Sequence, residues 1–168
     1  MSEKKNGGHV SANEKDHRVC CADCVIVRDN KILMQKRSFG MWKGHWGLIG
    51  GKIDRGETII HGAIREVKEE TGLDVKQLHM LGIYDAKDRD PEQHGIAIGF
   101  LCETNDAEPK MSSEATEMKW FGFDELPEKI AFDHKLIIED AKKFLDKLSK
   151  LKESASKQYG SSPSEQVR

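Results

Sequence analysis

The sequence predicts an α/β fold in which helices cover the faces of a β-sheet. Two segments, 57–71 and 135–151, carry apolar residues at helical spacing. Short apolar segments rich in β-branched residues predict strands at 19–28, 31–37, 46–51, 74–84, 96–103 and 115–123. A sheet combined with few helices buries its apolar faces best as stacked layers.

The predicted strands are joined by polar or glycine-rich segments. Asp29-Asn30 separates the first two strands and predicts a hairpin turn. Residues 38–45, 86–95 and 104–114 predict loops, and residues 124–134 predict a turn region with a short helix at most. The second helix has an apolar stripe formed by Leu136, Ile137, Ala141, Phe144, Leu145 and Leu148.

The domain organisation follows from composition. Residues 1–17 are polar and predict a disordered arm, residues 18–152 a single domain, and the Ser-rich residues 153–168 a flexible tail. The net charge of −2 gives no basic excess, so we expect no long nucleic acid as a partner. No apolar run reaches the roughly 20 residues of a membrane span, and the N-terminus lacks the apolar core of a signal peptide. We therefore expect a cytoplasmic protein without a membrane partner.

Four cysteines occur in apolar, strand-like sequence: Cys20, Cys21, Cys24 and Cys102. The Cys21-x-x-Cys24 spacing suggests zinc, but no second CxxC or CxxH follows at finger spacing. Buried, reduced thiols are the favoured interpretation.

Three carboxylates share one face of the first helix. Glu66, Glu69 and Glu70 lie at i, i+3 and i+4, where like charges destabilise an isolated helix. A hard divalent cation such as Mg²⁺ or Mn²⁺ offsets this repulsion and prefers carboxylate oxygens. The neighbouring face, which we expect to pack on the core, carries Ile59, Ile60, Ala63 and Val67.

Glycines frame this helix. Gly50, Gly51 and Gly56 predict a loop that approaches a ligand closely, and Gly72 predicts the end of the helix. We expect the helix to begin at Glu57-Thr58, with acid in its first turn. The alternative is an acidic amphipathic helix with a solvated face, which explains the charges but not the glycines and Arg65 together.

The stretch 51–73 resembles the Nudix box, G-x5-E-x7-R-E-U-x-E-E-x-G-U, where U is a bulky aliphatic residue. Every fixed position is matched by Gly51, Glu57, Arg65, Glu66, Val67, Glu69, Glu70, Gly72 and Leu73. The resemblance extends over about residues 19–150 and implies the Nudix α/β/α sandwich with a mixed β-sheet. It departs from many family members at Ile49, where proline is common.

The resemblance implies roles for the box residues. Glu66, Glu69 and Glu70 are the expected ligands of Mg²⁺, with Mn²⁺ as a substitute and the Gly51 carbonyl as a further ligand. Glu57 is expected to support the loop. Arg65 is expected to orient the neighbouring glutamates, with an exposed salt bridge as the alternative.

The general base is expected outside the box, on a loop. Glu114 lies six residues before Trp120, as in family members that use a glutamate there. Glu117 is the rival, but as a strand residue it is expected to face solvent or form a salt bridge.

Substrate contacts are also expected outside the box. DRDPEQH (88–94) resembles the RDPRGH-like segment of compact microbial ADP-ribose pyrophosphatases, with Glu92 and Gln93 replacing arginine and glycine. Arg89 is retained and is a candidate phosphate contact, with a loop salt bridge to Asp88 or Asp90 as the alternative. Phe39 and Trp42, in the glycine-rich loop, are candidates for stacking on a base, and Gly50 and Gly51 for contacting the substrate. His134, in a matching FDH segment, is expected to be structural.

These residues predict a metal-dependent pyrophosphohydrolase. The leading hypothesis is hydrolysis of ADP-ribose or another nucleoside diphosphate sugar. The alternative is a MutT-type (d)NTP pyrophosphohydrolase that releases pyrophosphate. A non-catalytic ligand sensor is disfavoured because the carboxylates are retained. Family analogy suggests a homodimer.

Overall fold

A computed structural model describes residues 18–91 and 95–159, with side chains to residue 157. In these residues the strands are β1 Val19–Arg28, β2 Lys31–Arg37, β3 Trp46–Gly47, β4 Ile49–Lys52, β5 Val75–Tyr84, β6 Gly95–Thr104 and β7 Ala115–Gly122. The helices are α1 Ile59–Thr71 and α2 His134–Tyr159. The expected order of strands and helices is confirmed, although the predicted strand 46–51 is divided at Leu48.

The strands form one mixed sheet in the order β3-β2-β1-β6-β5, with β4 also paired to β1 and β7 to β2. Strands β1 and β6 are parallel, and the other pairs are antiparallel. The β1–β2 hairpin closes through Asp29 and Asn30, whose φ angles of 50° and 57° suit a type I′ turn. The predicted mixed sheet and hairpin are therefore confirmed.

Each face of the sheet has its own apolar core. On one face, Ala63 and Val67 of α1 pack with Cys24 and Ile26 of β1. On the other, residues of α2 pack with Val25. Successive β1 side chains point to opposite faces, which explains why the whole segment is apolar. The result is the expected α/β/α sandwich.

The cysteines do not form a zinc pair. All four are free; Cys24 and Cys102 are buried, whereas Cys20 and Cys21 are half-buried. Cys21 packs in the core beneath α2 and Cys24 in the core beneath α1. The expectation of full burial therefore holds for two of the four thiols.

The first helix differs from its prediction at the N-terminal end. Thr58 is the N-cap, with its hydroxyl accepting from the His61 N–H at 3.2 Å, so the helix begins at Ile59 and Glu57 lies before it. Ile59 and Ile60 remain exposed, which corrects their assignment to the core. Gly72 ends the helix in the left-handed conformation, as predicted.

The second helix continues to Tyr159, eight residues beyond the predicted end. Serine suggested a tail, but Ser154 and Ser156 donate to the carbonyls of Lys150 and Lys152 and are accommodated within the helix. Leu136 is exposed rather than part of the apolar stripe, and the buried Ile138 takes its place. Neither helix in the described ranges is long and apolar enough to span a bilayer. Residues 1–17 and 160–168, the predicted arm and the end of the predicted tail, lie outside the described residues.

Candidate active site

Strand β4 and helix α1 meet at Gly51, and Gly50 and Gly51 lie in a short strand rather than in the predicted loop. Strand β4 pairs with β1 so that Gly50 faces Asp23 and Gly51 faces Ala22. A Cβ atom on Gly51 would lie only 2.6 Å from Glu66 Oε1, and one on Gly50, where φ is 151°, would overlap the Ala22 carbonyl. The Glu66 carboxylate therefore occupies the space that a side chain at position 51 would fill.

Glu70 is the most buried of the three helix carboxylates. Its Oε2 accepts hydrogen bonds from Gln35 Nε2 and from the Gly50 N–H, each at 2.9 Å. Burial raises the pKa of Glu70, and the charges of Glu66 and Glu114 raise it as well. The two donors lower it, and the balance of these effects is a pKa of about 7. The site thus holds a carboxylate whose charge is poorly compensated by the protein alone.

Glu66 shares this environment. Burial raises its pKa, Arg65 lowers it, and the charges of Glu69 and Glu114 raise it. The charge of Glu114 thus contributes to the raised pKa of both Glu66 and Glu70.

Arg65 connects the other box glutamates. Its Nε and Nη2 donate to the two oxygens of Glu57 at 3.2 and 2.7 Å, and its Nη1 donates to Glu66 Oε1 at 2.8 Å and Glu69 Oε2 at 3.1 Å. Nη2 also donates to the Lys52 carbonyl at 3.0 Å. These contacts tie the loop before α1 to the helix.

The carboxylates are not gathered as a ligand set. Among the described residues, no three Asp, Glu, His or Cys side chains are arranged to hold a metal ion as they stand. The physical reason is that the Arg65 guanidinium bridges Glu66 and Glu69, and the Glu69 side chain is 60% exposed. The donor chemistry still fits a hard divalent cation, because Glu66 and Glu70 present carboxylate oxygens beside the Gly51 backbone and Glu70 has no cationic partner among the described residues.

A cavity of about 430 Å³ opens beside these carboxylates. The sequence-predicted residues on its wall are Phe39, Gly50, Gly51, Glu66, Arg89 and Glu114. Asp23, Arg37 and Phe132 also line the cavity and were not predicted from the sequence, and His134, which was expected to be structural, lies on the same wall. The cavity thus connects part of the acidic cluster with cationic and aromatic side chains.

Arg37 lies between two aromatic rings. Its Cζ atom is 5.2 Å from the ring centroid of Phe39 and 5.1 Å from that of Phe132. Its Nε is buried and has no hydrogen-bond partner within residues 18–91 and 95–157. Arg37, at the end of β2, could have been noted from the sequence as a cation close to the glycine-rich loop. Its partner Phe132 could not, because it lies 95 positions away.

Trp42 does not line the cavity. Its ring packs against His45 and Phe132, with centroid distances of 5.3 and 5.5 Å. Phe132 rather than Trp42 lies with Phe39 on the cavity wall, and stacking of a base on Trp42 stays a prediction. Trp42 supports the Phe132 ring, whose backbone has a φ of 52°.

Arg89 is buried in an ion-pair network. It donates to both oxygens of Asp133 at 2.8 and 2.9 Å and to Asp23 at 3.1 Å. These partners differ from the neighbouring aspartates considered from the sequence. Two carboxylates already pair with the guanidinium, which also lies on the cavity wall, and its contact with a phosphate stays a prediction. The replacements at Glu92 and Gln93 lie outside the described residues.

His134 is held by the same network. Its Nδ1 accepts from the Leu48 N–H at 2.9 Å, which leaves Nε2 to carry the proton facing Asp23 Oδ2 at 3.4 Å. The hydrogen bond from Leu48 connects the start of α2 to the residue that precedes strand β4.

Glu114 is placed by its backbone. Ser38 donates to the Glu114 carbonyl through its N–H at 2.9 Å and its hydroxyl at 2.8 Å. The rival Glu117 pairs with Lys36 at 2.8 Å on an exposed part of β7. Of the two glutamates, Glu114 alone is on the cavity wall.

Comparison with known proteins identifies the family. The NUDIX domain model matches residues 7–141. An ADP-ribose pyrophosphatase of Methanocaldococcus jannaschii is 43% identical over 124 residues, covering 74% of this chain and 73% of that protein. An oxidized purine nucleoside triphosphate hydrolase of Danio rerio is 37% identical over 106 residues, covering 61% of this chain and 65% of that protein.

A solved structure of another protein agrees with this family assignment. The MutT NUDIX hydrolase from Burkholderia pseudomallei matches with a TM-score of 0.69 at 28% identity, covering 74% of this chain and 98% of that chain. The box motif, the sandwich and these likenesses agree, and the chain belongs to the Nudix hydrolase family.

Proposed function

We propose that the chain is a Mg²⁺-dependent pyrophosphohydrolase of nucleoside diphosphate sugars, with ADP-ribose as the best single substrate. The products would be AMP and ribose 5-phosphate. The observation that carries this proposal is one cavity lined both by Glu66 and Glu114 and by the Phe39–Arg37–Phe132 stack. The 43% identity to an ADP-ribose pyrophosphatase supports the choice of substrate.

Nudix hydrolases generally use divalent metal ions. We assign Glu66, Glu69, Glu70 and the Gly51 carbonyl as the ligands, with Mn²⁺ able to replace Mg²⁺. The bound cation supplies neutralisation of the diphosphate charge and activation of water. Glu69 joins this set by leaving Arg65, which its exposed side chain permits. Arg65 then keeps Glu57 and Glu66 in place.

Glu114 is the proposed general base. It accepts the proton of the attacking water on its carboxylate. Ser38 holds the Glu114 backbone, so the base lies next to the strand that carries Arg37.

The aromatic part of the cavity is the proposed nucleoside site. Phe39 and Phe132 present flat faces to a base, and Arg37 between them presents a cation to the neighbouring phosphates. The cavity volume of about 430 Å³ falls within the range of roughly 300–1,000 Å³ usual for small-molecule sites. A homodimer and a cytoplasmic location remain parts of the proposal.

A substrate panel with product identification tests this function. With Mg²⁺, the purified protein should release AMP and ribose 5-phosphate from ADP-ribose faster than it acts on other diphosphate sugars or (d)NTPs. If no diphosphate sugar in the panel yields a nucleoside monophosphate, the substrate assignment is wrong.

The second candidate is a MutT-type (d)NTP pyrophosphohydrolase. The 37% identity to an oxidized purine nucleoside triphosphate hydrolase favours it, because the aromatic site suits a purine in either substrate. Preferential release of pyrophosphate from a (d)NTP in the same panel would replace the first function by the second.

A further inference from the structure

Gln35 is a polar side chain buried in the middle of β2. It is 3% exposed, and its strand neighbours Leu33 and Met34 are fully buried. It pairs with Gly47 of β3 and Met118 of β7, so it lies inside the sheet. The box motif does not include it, and it does not line the cavity.

The amide of Gln35 is directed at one oxygen of Glu70. Gln35 Nε2 donates to Glu70 Oε2 at 2.9 Å, and the Gly50 N–H donates to the same oxygen at 2.9 Å. Across the part of the chain that the structure describes, no hydrogen bond reaches the other oxygen, Oε1. Two donors from two strands therefore fix the rotation of the carboxylate and leave Oε1 for a further partner.

The orientation of the amide has a cost for Gln35 itself. Its Oε1 is buried and has no hydrogen-bond partner among the described residues. A buried acceptor without a partner is destabilising, and an apolar side chain of the same shape would avoid it. The contribution of Gln35 to fold stability alone does not account for this arrangement, whereas the donor to Glu70 does.

We propose that Gln35 is a positioning residue that determines which oxygen of Glu70 is presented to the divalent cation. This inference rests on the proposed function, in which Glu70 is a metal ligand. Gln35 acts through Glu70, because its contact is with the oxygen that the cation does not take.

The test is calorimetric titration of the full chain with Mn²⁺ alone, for wild type and Gln35→Met. Methionine has nearly the same shape and no donor. The Mn²⁺ dissociation constant should rise by about tenfold or more, as is usual when an outer partner of a metal ligand is lost. The melting temperature of the metal-free variant should not fall, because the unpaired Oε1 is removed as well.

A double-mutant cycle separates positioning from structure. In a Glu70→Ala background, Gln35→Met should cause no further loss of Mn²⁺ affinity, because the residue through which it acts is absent. The matched control is Gln77→Met, a change at an exposed position of β5, and this variant should bind Mn²⁺ like wild type. If Gln35→Met does not fold, Gln35→Ala, which introduces no bulk, gives the same comparison.

Three results would overturn the inference. Wild-type Mn²⁺ affinity in a folded Gln35 variant contradicts positioning while leaving the proposed function intact. A loss of affinity that is equally large in the Glu70→Ala background assigns Gln35 a general structural role. If wild type itself binds no Mn²⁺, the proposed function fails, and the inference fails with it.

Discussion

At the scale of single residues, the site depends on charges that the protein compensates unequally. Arg65 satisfies Glu57 and Glu66 through short hydrogen bonds, and Arg89 is satisfied by Asp23 and Asp133. Arg37 differs, because its guanidinium lies against the rings of Phe39 and Phe132 and forms no ion pair with a carboxylate of the described residues. An arginine held in this way keeps its charge for an anionic ligand.

Replacing Arg37 by lysine should weaken substrate binding. Lysine retains the charge but loses the planar group that donates two hydrogen bonds to a phosphate, so we expect KM for ADP-ribose to rise by about tenfold, the equivalent of one lost hydrogen bond to a charged group. Steady-state kinetics of Arg37→Lys give this value directly. Arg55→Lys, a change at an exposed arginine, is the control and should leave KM unaltered. An unchanged KM in Arg37→Lys would remove Arg37 from the substrate site.

Residues local to the box motif could be predicted, whereas residues brought in by tertiary structure could not. Glu66, Glu69 and Glu70 follow from helical spacing alone. The meeting of Arg37 with Phe132 and of Gln35 with Glu70 depends on how the sheet orders its strands, which no local pattern records. The same holds for Trp42, whose position in the loop is local but whose ring contact with Phe132 depends on the tertiary structure.

At the scale of elements, strand β4 and helix α1 contact each other closely at Gly51 and Glu66. Gly51→Ala would place a Cβ atom 2.6 Å from the Glu66 carboxylate and displace it. We expect Mn²⁺ affinity to fall by about 10–100-fold, the range for a disturbed metal ligand shell. Gly122→Ala, where the nearest atom is 3.5 Å away, is the matched control. Retained Mn²⁺ affinity in Gly51→Ala would show that Glu66 does not need its present position.

The loop before β7 carries the proposed base. Glu114→Gln keeps the backbone contacts with Ser38 and removes only the proton acceptor, so kcat should fall by about 10²–10⁴-fold with KM little changed. Glu117→Gln, whose side chain pairs with Lys36 away from the cavity, should retain wild-type kcat. Equal kcat values for the two variants, measured with saturating ADP-ribose and Mg²⁺, would exclude Glu114 as the base.

The order of the elements was predictable because apolar periodicity is a local property. The residues at which the helices begin and end were less predictable. Thr58 caps α1 later than the acidic residues suggested, and α2 continues through a serine-containing segment whose composition is typical of a tail. In both cases hydrogen bonds to the backbone decided the boundary.

At the scale of the whole molecule, the Asp23–Arg89–Asp133–His134 network joins β1, the loop after β5 and the start of α2. Burial alone would raise the pKa of Asp23, but His134 and Arg89 outweigh burial and hold it below the ordinary value. A lowered pKa in the folded state means that ionised Asp23 stabilises the fold. This contribution is complete above about pH 4, the ordinary pKa, and is lost as pH falls through the lowered pKa.

Asp23→Asn should therefore destabilise the protein at neutral pH. We expect a loss of about 2 kcal/mol at pH 7, below the 3–5 kcal/mol of a fully broken buried pair because Arg89 keeps Asp133. The difference from wild type should shrink as the pH is lowered below about 4. Urea unfolding at both pH values measures it, with the exposed Asp124→Asn as control. A difference that grows in acid would contradict the role of ionised Asp23.

In the proposed function, Glu66 and Glu70 hold a divalent cation against a bound diphosphate. The most direct measurement is a crystal structure with Mn²⁺ and a non-hydrolysable methylene analogue of ADP-ribose, located by the anomalous signal of manganese. We predict a peak within bonding distance of Glu66 and Glu70, with the analogue extending towards Phe39 and Phe132. A bound analogue with no manganese peak at these two carboxylates would contradict the account.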